Sequence, residues 1–358
     1  MQKEPVLLDL KSIPHIVGQG ALERAGAYFS GYTDIFVLVD ENTEKFCLPV
    51  LRNILPGSSI RGVIKIKSGE LNKNIRTASA IWEQLTHFKA ERNSLLINLG
   101  GGVITDIGGF VAATFKRGMA FVNIPTTLLG QVDAAIGSKT GIDFKEYKNQ
   151  IGLFADPKVV VIDPVFLDTL DPKQFLSGFA EMLKYALIMD IPLWEIMDNR
   201  YFDAMYPDLE RMVVRCVGDK ISIVEEDKHE SGLRKLLNFG HTVGHALETF
   251  FLKTDTPVTH GEAVAAGMIC ATRISSQHPD FECHSPEQIY EMIDRNFPRL
   301  TFLQKDILGI MRLMQQDKKT KAGQLHFTLL TKLGTAVPDV VVPEEKVKES
   351  LRFYLRNQ

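Results

Sequence analysis

The sequence predicts an α/β protein in two parts: an N-terminal parallel-sheet domain, residues 1–171, and a mainly α-helical C-terminal domain, residues 172–358. Three observations carry this. Short apolar runs at 35–40, 95–99, 121–124 and 159–162 alternate with helical patterns, as parallel strands covered on both faces do. Strand signals then stop near residue 170, and amphipathic helical patterns follow over 173–190, 207–226, 233–252, 260–277, 286–295 and 303–315. Asp171-Pro172 separates the two regimes, and Pro disfavours helix in the residue before it.

The elements follow in order. Residues 5–17 read as one or two edge strands, and 18–30 as a short helix carrying Leu22, Ala25 and Phe29. The strand at 35–40 ends in Asp40, with Glu41-Asn42-Thr43 at its C-terminal edge, where open α/β sheets bind ligands. A helix over 47–55 and a strand over 62–66 come next. Gly69 to Lys73 is a polar turn before a long helix from Ile75 to about Lys89. The strand at 95–99 runs into Gly100-Gly101-Gly102 and an apolar helix with Asp106, and the one at 121–124 ends at Pro125-Thr126-Thr127. Beyond the helical region a short strand is expected at 325–330, then a polar tail and a last helix after Pro343.

Bulk properties narrow the function. A chain of 358 residues can bury two cores. A net charge of −3 gives no footprint for nucleic acid or membrane partners. The first residues lack a signal-peptide core, and no apolar run is long enough to span a bilayer. Cys47, Cys216, Cys270 and Cys283 are widely spaced without a CxxC, which fits reduced thiols in a cytoplasmic protein.

The glycine triplet after a buried strand is a phosphate-cradle signal. Without Cβ atoms the backbone amides approach an anion, and the following helix adds its dipole. It is neither GxGxxG nor a Walker A, and a tight turn with no ligand would read the same. Asp40, Glu70 and Lys73 strengthen the nucleotide reading, because an acid at an early strand end accepts ribose hydroxyls in Rossmann-like domains. Pro125-Thr126-Thr127 adds a rigid turn with two hydroxyls.

The second half suggests a metal. His241 and His245 are four apart in a helical pattern, so their rings share a face, and His260 opens the next helix. Gly240, Gly244, Ala246 and Gly261 let backbones come close. Catalytic zinc takes three protein ligands, histidine or carboxylate, and keeps an open position. Capping or core histidines would share the spacing. Glu181, mid-helix with Lys184 three residues on, is the best source of a carboxylate, although a partner for Lys184 would look the same. Lys116, Arg117, Lys139, Lys148, Lys220, Arg234, Lys318 and Lys319 are each unremarkable as surface charges, whereas Lys184 is the least comfortable on a surface among Phe179, Met182, Leu183 and Ala186; as a set they suit a phosphorylated or carboxylated substrate.

Taken together these blocks resemble the 3-dehydroquinate synthases, which are sugar-phosphate cyclases. The resemblance runs from Asp40 to at least Lys319. It rests on Gly100-Gly101-Gly102 with Asp106, Phe115-Lys116-Arg117-Gly118, Pro125-Thr126-Thr127-Leu128-Leu129, and Gly137 to Gly141 around Lys139. In the second half it rests on Gly178-Phe179-Ala180-Glu181 with Lys184, the run Leu237 to His245, and His260-Gly261-Glu262. Ser138 and Phe239 depart from the usual pattern at positions that contact no ligand.

The resemblance implies zinc held by Glu181, His241 and His260, with His245 an active-site residue and not a ligand. Cobalt accepts such ligands too. It implies Asp133, Lys139, Asn149, Lys184, Lys220, Arg234 and Asn238 around the substrate, with Arg117 and Asn149 gripping its phosphate and Glu230 a further acid. Lys139, Lys184, Glu230, Arg234, Asn238 and His245 would serve catalysis, and Lys318 or Lys319 would reach the substrate. Asp40, Asn42, Glu70, Lys73, Gly101, Gly102, Asp106, Thr126, Thr127 and Lys148 would line NAD. The implied reaction converts 3-deoxy-D-arabino-heptulosonate 7-phosphate to 3-dehydroquinate and phosphate in the shikimate pathway. It runs by transient oxidation at C5, β-elimination of phosphate, re-reduction, ring opening and aldol closure, in a cytoplasmic homodimer. Sister cyclases making 2-deoxy-scyllo-inosose or an epi-valiolone share the implied fold and cofactors. A metal-dependent glycerol or alcohol dehydrogenase is more distant.

Overall fold

A computed structural model describes residues 4–10, 13–55, 60–145, 147–198, 200–252, 254–279, 282, 286–316 and 324–356. Lys318, Lys319 and Cys283 lie outside the described residues. The chain forms two compact units. The first is Met1–Asp171 with Cys216–Glu225, and the second is Pro172–Arg215 with Glu226–Gln358.

The first unit is built on a seven-stranded sheet. Its strands are β1 (Val6–Leu10), β2 (Ile13–Val17), β3 (Ile35–Asp40), β4 (Ile60–Ile66), β5 (Leu95–Gly100), β6 (Ala120–Pro125) and β9 (Val160–Ile162), in the order β1-β2-β9-β6-β5-β3-β4. All neighbours pair in parallel except β1, which runs antiparallel to β2 at the edge, so the expected parallel sheet is mixed at one border. Strand β3 shows why its sequence is apolar throughout. Ile35, Val37 and Val39 enter a core with Leu22, Phe29, Leu48 and Leu51, whereas Phe36 and Leu38 enter another with Ile81, Leu85, Ile104 and Ile107.

Helices cover both faces. The expected 18–30 helix is two short ones, α1 (Ala21–Arg24) and α2 (Gly26–Phe29). Where only a strand edge was expected, α3 (Glu41–Phe46) begins directly after β3, because Asp40 caps it: one carboxylate oxygen accepts from the backbone N–H groups of Asn42 and Thr43. Then come α4 (Leu48–Ile54), α5 (Ile75–His87), capped by Asn74, and α6 (Gly102–Thr114).

Residues 139–154 gave no strand signal, yet β7 (Lys139–Phe144) and β8 (Tyr147–Phe154) form an antiparallel hairpin. Exposed polar residues interrupt the alternation here. Gly141 and Gly152 sit opposite each other with no room for a Cβ.

The second unit is mainly helical: α7 (Pro172–Ile188), α8 (Ile191–Met197), α9 (Leu209–Glu226), α10 (His241–Phe251), α11 (His260–Ser275), α12 (Pro286–Asn296), α13 (Ile307–Gln316) and α14 (Glu344–Arg356). Residues 216–225 of α9 count with the first unit. The expected continuous helix over 233–252 is broken. Leu233–Asn238 is a 3₁₀ turn, and Gly240, at φ +79°, starts α10 from a left-handed conformation. The strand expected at 325–330 is β10 (Leu325–Lys332), and part of the expected polar tail is its partner β11 (Thr335–Val342). Among the described residues no helix is long and apolar enough to cross a membrane.

Candidate active site

Three helices of the second unit converge on small residues. A Cβ on Gly261 of α11 would lie 2.3 Å from the Cα of Ser177 on α7. One on Gly267 of α11 would lie 1.9 Å from the carbonyl oxygen of Gly240, at the start of α10. Polar contacts then fix the rotation. The Gly261 N–H donates to Ser177 Oγ at 2.9 Å, and a capping box between Thr259 and Glu262 sets the start of α11, which places His260 at its first position.

The outcome is a cluster of Glu181 from α7, His241 from α10 and His260 from α11, whose ligand atoms all lie within 4.8 Å of one another. Glu181 Oε1 is 3.5 Å from His241 Nε2 and 3.4 Å from His260 Nε2. A tetrahedral ion with bonds of about 2.1 Å spaces its ligands by about 3.4 Å. Oε1 is buried and accepts no hydrogen bond, as a metal-facing oxygen would be before loading. Oε2 instead accepts from Lys184 Nζ, itself 1 % exposed. Each outer imidazole nitrogen is also occupied: His241 Nδ1 faces Phe239 O at 3.1 Å, and His260 Nδ1 faces Glu248 Oε2 at 3.3 Å. These residues therefore fit a divalent cation. His245 stands beside them, its ring centroid 5.2 Å from that of His241 and 5.9 Å from that of His260.

The charges agree. Burial pushes the Glu181 carboxyl up, but Lys184 and the two imidazoles outweigh it and hold it well below the usual range. Burial pulls His260 down, and the Glu181 and Glu248 carboxylates reverse this, raising it to about 9.

The 3₁₀ turn beside this cluster carries Arg234, 2 % exposed, and Asn238, whose Nδ2 donates to Glu230 Oε1 at 3.1 Å. Asp227 ties the preceding loop. Its Oδ1 accepts from the Ser231 N–H at 2.9 Å, and its Oδ2 from the N–H groups of Gly232 at 2.7 Å and Arg234 at 3.1 Å. Burial raises the Asp227 carboxyl, but these donors more than offset it, lowering it from 3.8 to about 2. Since the folded value lies below the unfolded one, the stability Asp227 lends is present above about pH 4 and is lost as pH falls through about 2. Asp227→Asn is expected to cost about 1–2 kcal/mol at neutral pH. Denaturant midpoints should converge with the parent's toward pH 2, and a gap unchanged by pH would refute the assignment.

In the first unit the glycine turn behaves as a cradle. Gly101 precedes α6 with no side-chain cap on the helix N-terminus, and a Cβ there would lie 2.9 Å from Thr127 Cγ2. This leaves the first N–H groups of a 13-residue helix to an anion, so the turn fits a dinucleotide phosphate. Buried Lys73 places Nζ 2.7 Å from Asp106 Oδ2 and 3.7 Å from Glu70 Oε1, and Lys148 Nζ is 3.8 Å from the same Glu70 oxygen. Burial pulls the Lys73 ammonium down, and Asp106 and Glu70 more than reverse it, keeping it protonated. Thr126 and Thr127 follow β6 at this edge, and Asp40 with Asn42 stands at the end of β3.

Asp133 pairs with Lys220, both in this unit. Lys139 begins β7, and the Asn149 N–H donates to Asp143 Oδ1 at 2.7 Å, with the Asp143 N–H donating in turn to Lys73 O at 2.7 Å. Arg117 stands apart from this group. It is exposed, at φ +65°, in the turn before β6, so the six-residue strand sets it about 20 Å from the Thr126 edge. Sequence reasoning singled out none of Ser177, Asp143, Asp227 and Glu248. Only Glu248 left a trace, at the third place of the spacing His241, His245, Glu248 along one helix face.

Comparison with known proteins gives the family. Residues 63–177 match the profile of 3-dehydroquinate synthase N-terminal domains, and residues 178–320 that of the C-terminal domains. A 3-dehydroquinate synthase of Parabacteroides distasonis is 43 % identical over 324 residues, 90 % of this chain and 92 % of the relative. One of Alkaliphilus metalliredigens is 34 % identical over 96 % of this chain and 97 % of its own length. Among solved structures, a 2-deoxy-scyllo-inosose synthase with carbaglucose-6-phosphate, NAD+ and Co2+ superposes with a TM-score of 0.85 at 24 % identity, covering 98 % of this chain and 99 % of that one. A 2-epi-5-epi-valiolone synthase from Streptomyces hygroscopicus subsp. jinggangensis, with NAD+ and Zn2+, gives 0.85 at 25 % identity over 99 % of this chain and 100 % of the other. An iron-containing alcohol dehydrogenase of Thermotoga maritima falls to 0.65 at 14 %, over 98 % of this chain and 100 % of that one. With both halves of one profile matched in order, and relatives matched over nearly their whole length, the chain belongs to the 3-dehydroquinate synthase family of sugar-phosphate cyclases.

Proposed function

We propose that the protein is a 3-dehydroquinate synthase of the shikimate pathway, acting on 3-deoxy-D-arabino-heptulosonate 7-phosphate with NAD and zinc, as a cytoplasmic homodimer. One observation carries the reading: the Glu181–His241–His260 cluster with buried Lys184 occurs in a chain 43 % identical to a relative named for this reaction. When bound, the ion would polarise the C5 hydroxyl and the dinucleotide would accept and return the C5 hydride.

The chain's own residues supply the rest. Glu181, His241 and His260 hold the ion, with cobalt a chemical substitute for zinc. The Gly101–Gly102 turn, Thr126, Thr127, Asp40, Asn42 and the Lys73–Asp106–Glu70–Lys148 group hold the dinucleotide. Arg234 and Lys139 meet the substrate carboxylate, and Lys184, Lys220, Asp133, Asn238 and Glu230 orient its hydroxyls. Asn149 takes the phosphate, joined by Lys318 or Lys319 and, from the second protomer of the homodimer, by Arg117, which lies too far along β6 to reach it within its own chain. His245 moves the proton at the C5 oxygen, and the departing phosphate accepts the C6 proton.

A sister cyclase is the second reading, favoured by the structural likeness to the inosose and valiolone synthases. Arg234 and Lys139 weigh against it, since they suit a carboxylated substrate. The test measures phosphate release from the heptulosonate phosphate with NAD and zinc, following nicotinamide absorbance in parallel. Stoichiometric phosphate and dehydroquinate without accumulating NADH is the expected result. Phosphate release from glucose 6-phosphate or sedoheptulose 7-phosphate instead would move the protein to a sister reaction, and NADH accumulating on a simple polyol would make it a dehydrogenase.

A further inference from the structure

The two histidines of the cluster are held from behind in different ways. His241 Nδ1 points to a backbone carbonyl, Phe239 O, which the left-handed Gly240 turn positions and no side-chain substitution removes. His260 Nδ1 points to a side chain, Glu248 Oε2, at 3.3 Å. Glu248 is 8 % exposed, on the face of α10 that also carries His241 and His245. A buried carboxylate needs a donor, and the ring N–H is one. If His260 flipped or took its other tautomer, Glu248 would lose that donor and Nε2 would no longer offer its lone pair beside Glu181.

We propose that Glu248 is the positioning residue of the metal centre: it holds the Nδ1–H of His260, fixes the tautomer that presents Nε2 to the ion, and through its charge strengthens that nitrogen as a donor. The inference rests on reading Glu181, His241 and His260 as the ligands. Within it, the roles of the histidines separate. His241 has a neutral backing and His260 an anionic one, so His260 is the stronger donor of the two. Partners of this kind typically change metal affinity about 10–100-fold when removed.

The test uses the full-length protein loaded with Zn2+, with Glu248→Gln and Glu248→Ala as variants. Zn2+ dissociation constants are measured by competition with a chromophoric chelator, visible spectra are recorded with Co2+ in place of zinc, and melting is followed with the metal stripped. Affinity should fall about 10-fold or more in Glu248→Gln, which keeps the shape and loses the charge, and further in Glu248→Ala. The Co2+ bands should shift in both. Affinities within twofold of the parent would overturn the proposal, as would lower metal-free melting with affinity unchanged, which marks a purely structural role. Should Glu248→Ala fail to fold, Glu248→Gln decides alone. A parent that binds no Zn2+ would instead bring down the ligand assignment and this inference with it.

Discussion

Replacing Glu181 by glutamine is expected to strip the metal and abolish turnover. Oε1 faces both imidazoles at 3.4–3.5 Å, and an amide there offers the ion either a weaker oxygen or an N–H that repels it. Losing a Lewis acid forfeits several kcal/mol of transition-state stabilisation, so activity should fall at least about 10³-fold. The same change removes the carboxylate partner of Lys184, a residue 1 % exposed. Breaking a buried pair on one side costs about 3–5 kcal/mol, so melting should fall as well. Metal content by elemental analysis, steady-state turnover and thermal melting read the three effects. A variant that keeps one zinc per chain and more than a tenth of the activity would sink the ligand assignment.

Gly267→Ala should be almost as damaging without touching a ligand. The added Cβ would sit 1.9 Å from Gly240 O and 2.8 Å from Gly244 N. Both are backbone atoms, so relief requires α11 to move away from α10, and overpacking of this sort costs about 1–3 kcal/mol. His241 and His260 ride on those two helices, and their Nε2 atoms each meet one Glu181 oxygen. A separation of even 1 Å spoils a set of bonds of about 2.1 Å, so metal affinity should drop at least about 100-fold. Chelator competition measures it. Near-parental affinity would show that helix spacing does not set the ligand geometry.

Much of the first unit was legible because its signals are local. The run 35–40 is apolar at every position since both faces of β3 are buried, and Gly100-Gly101-Gly102 announces its turn by composition. The hairpin at 139–154 was not legible, since its exposed residues carry no alternation. The metal cluster Glu181, His241 and His260 was legible through the family motifs and only half legible through spacing. Helical spacing paired His241 with His245, because spacing reports a shared face and not which ring meets another helix. The structure groups His241 with His260 and Glu181, from helices separated in sequence, through contacts at Gly261 and Gly267 that no periodicity encodes. Asp227 and Glu248 were hidden for the same reason: each looks like an ordinary surface acid until its donors are seen.

The discontinuity of the first unit bears on how the chain acquires its shape. Residues 216–225 complete a unit whose other members end at Asp171, so its last piece emerges 45 residues later, after the whole of α7 has been made. At ordinary synthesis rates that is a delay of about 2–10 s. During it Asp133 has been synthesised and Lys220, its ion-pair partner, has not. A fragment cut after Asp171 would carry the same deficit permanently, so splitting the gene there should yield halves that regain solubility only when produced together.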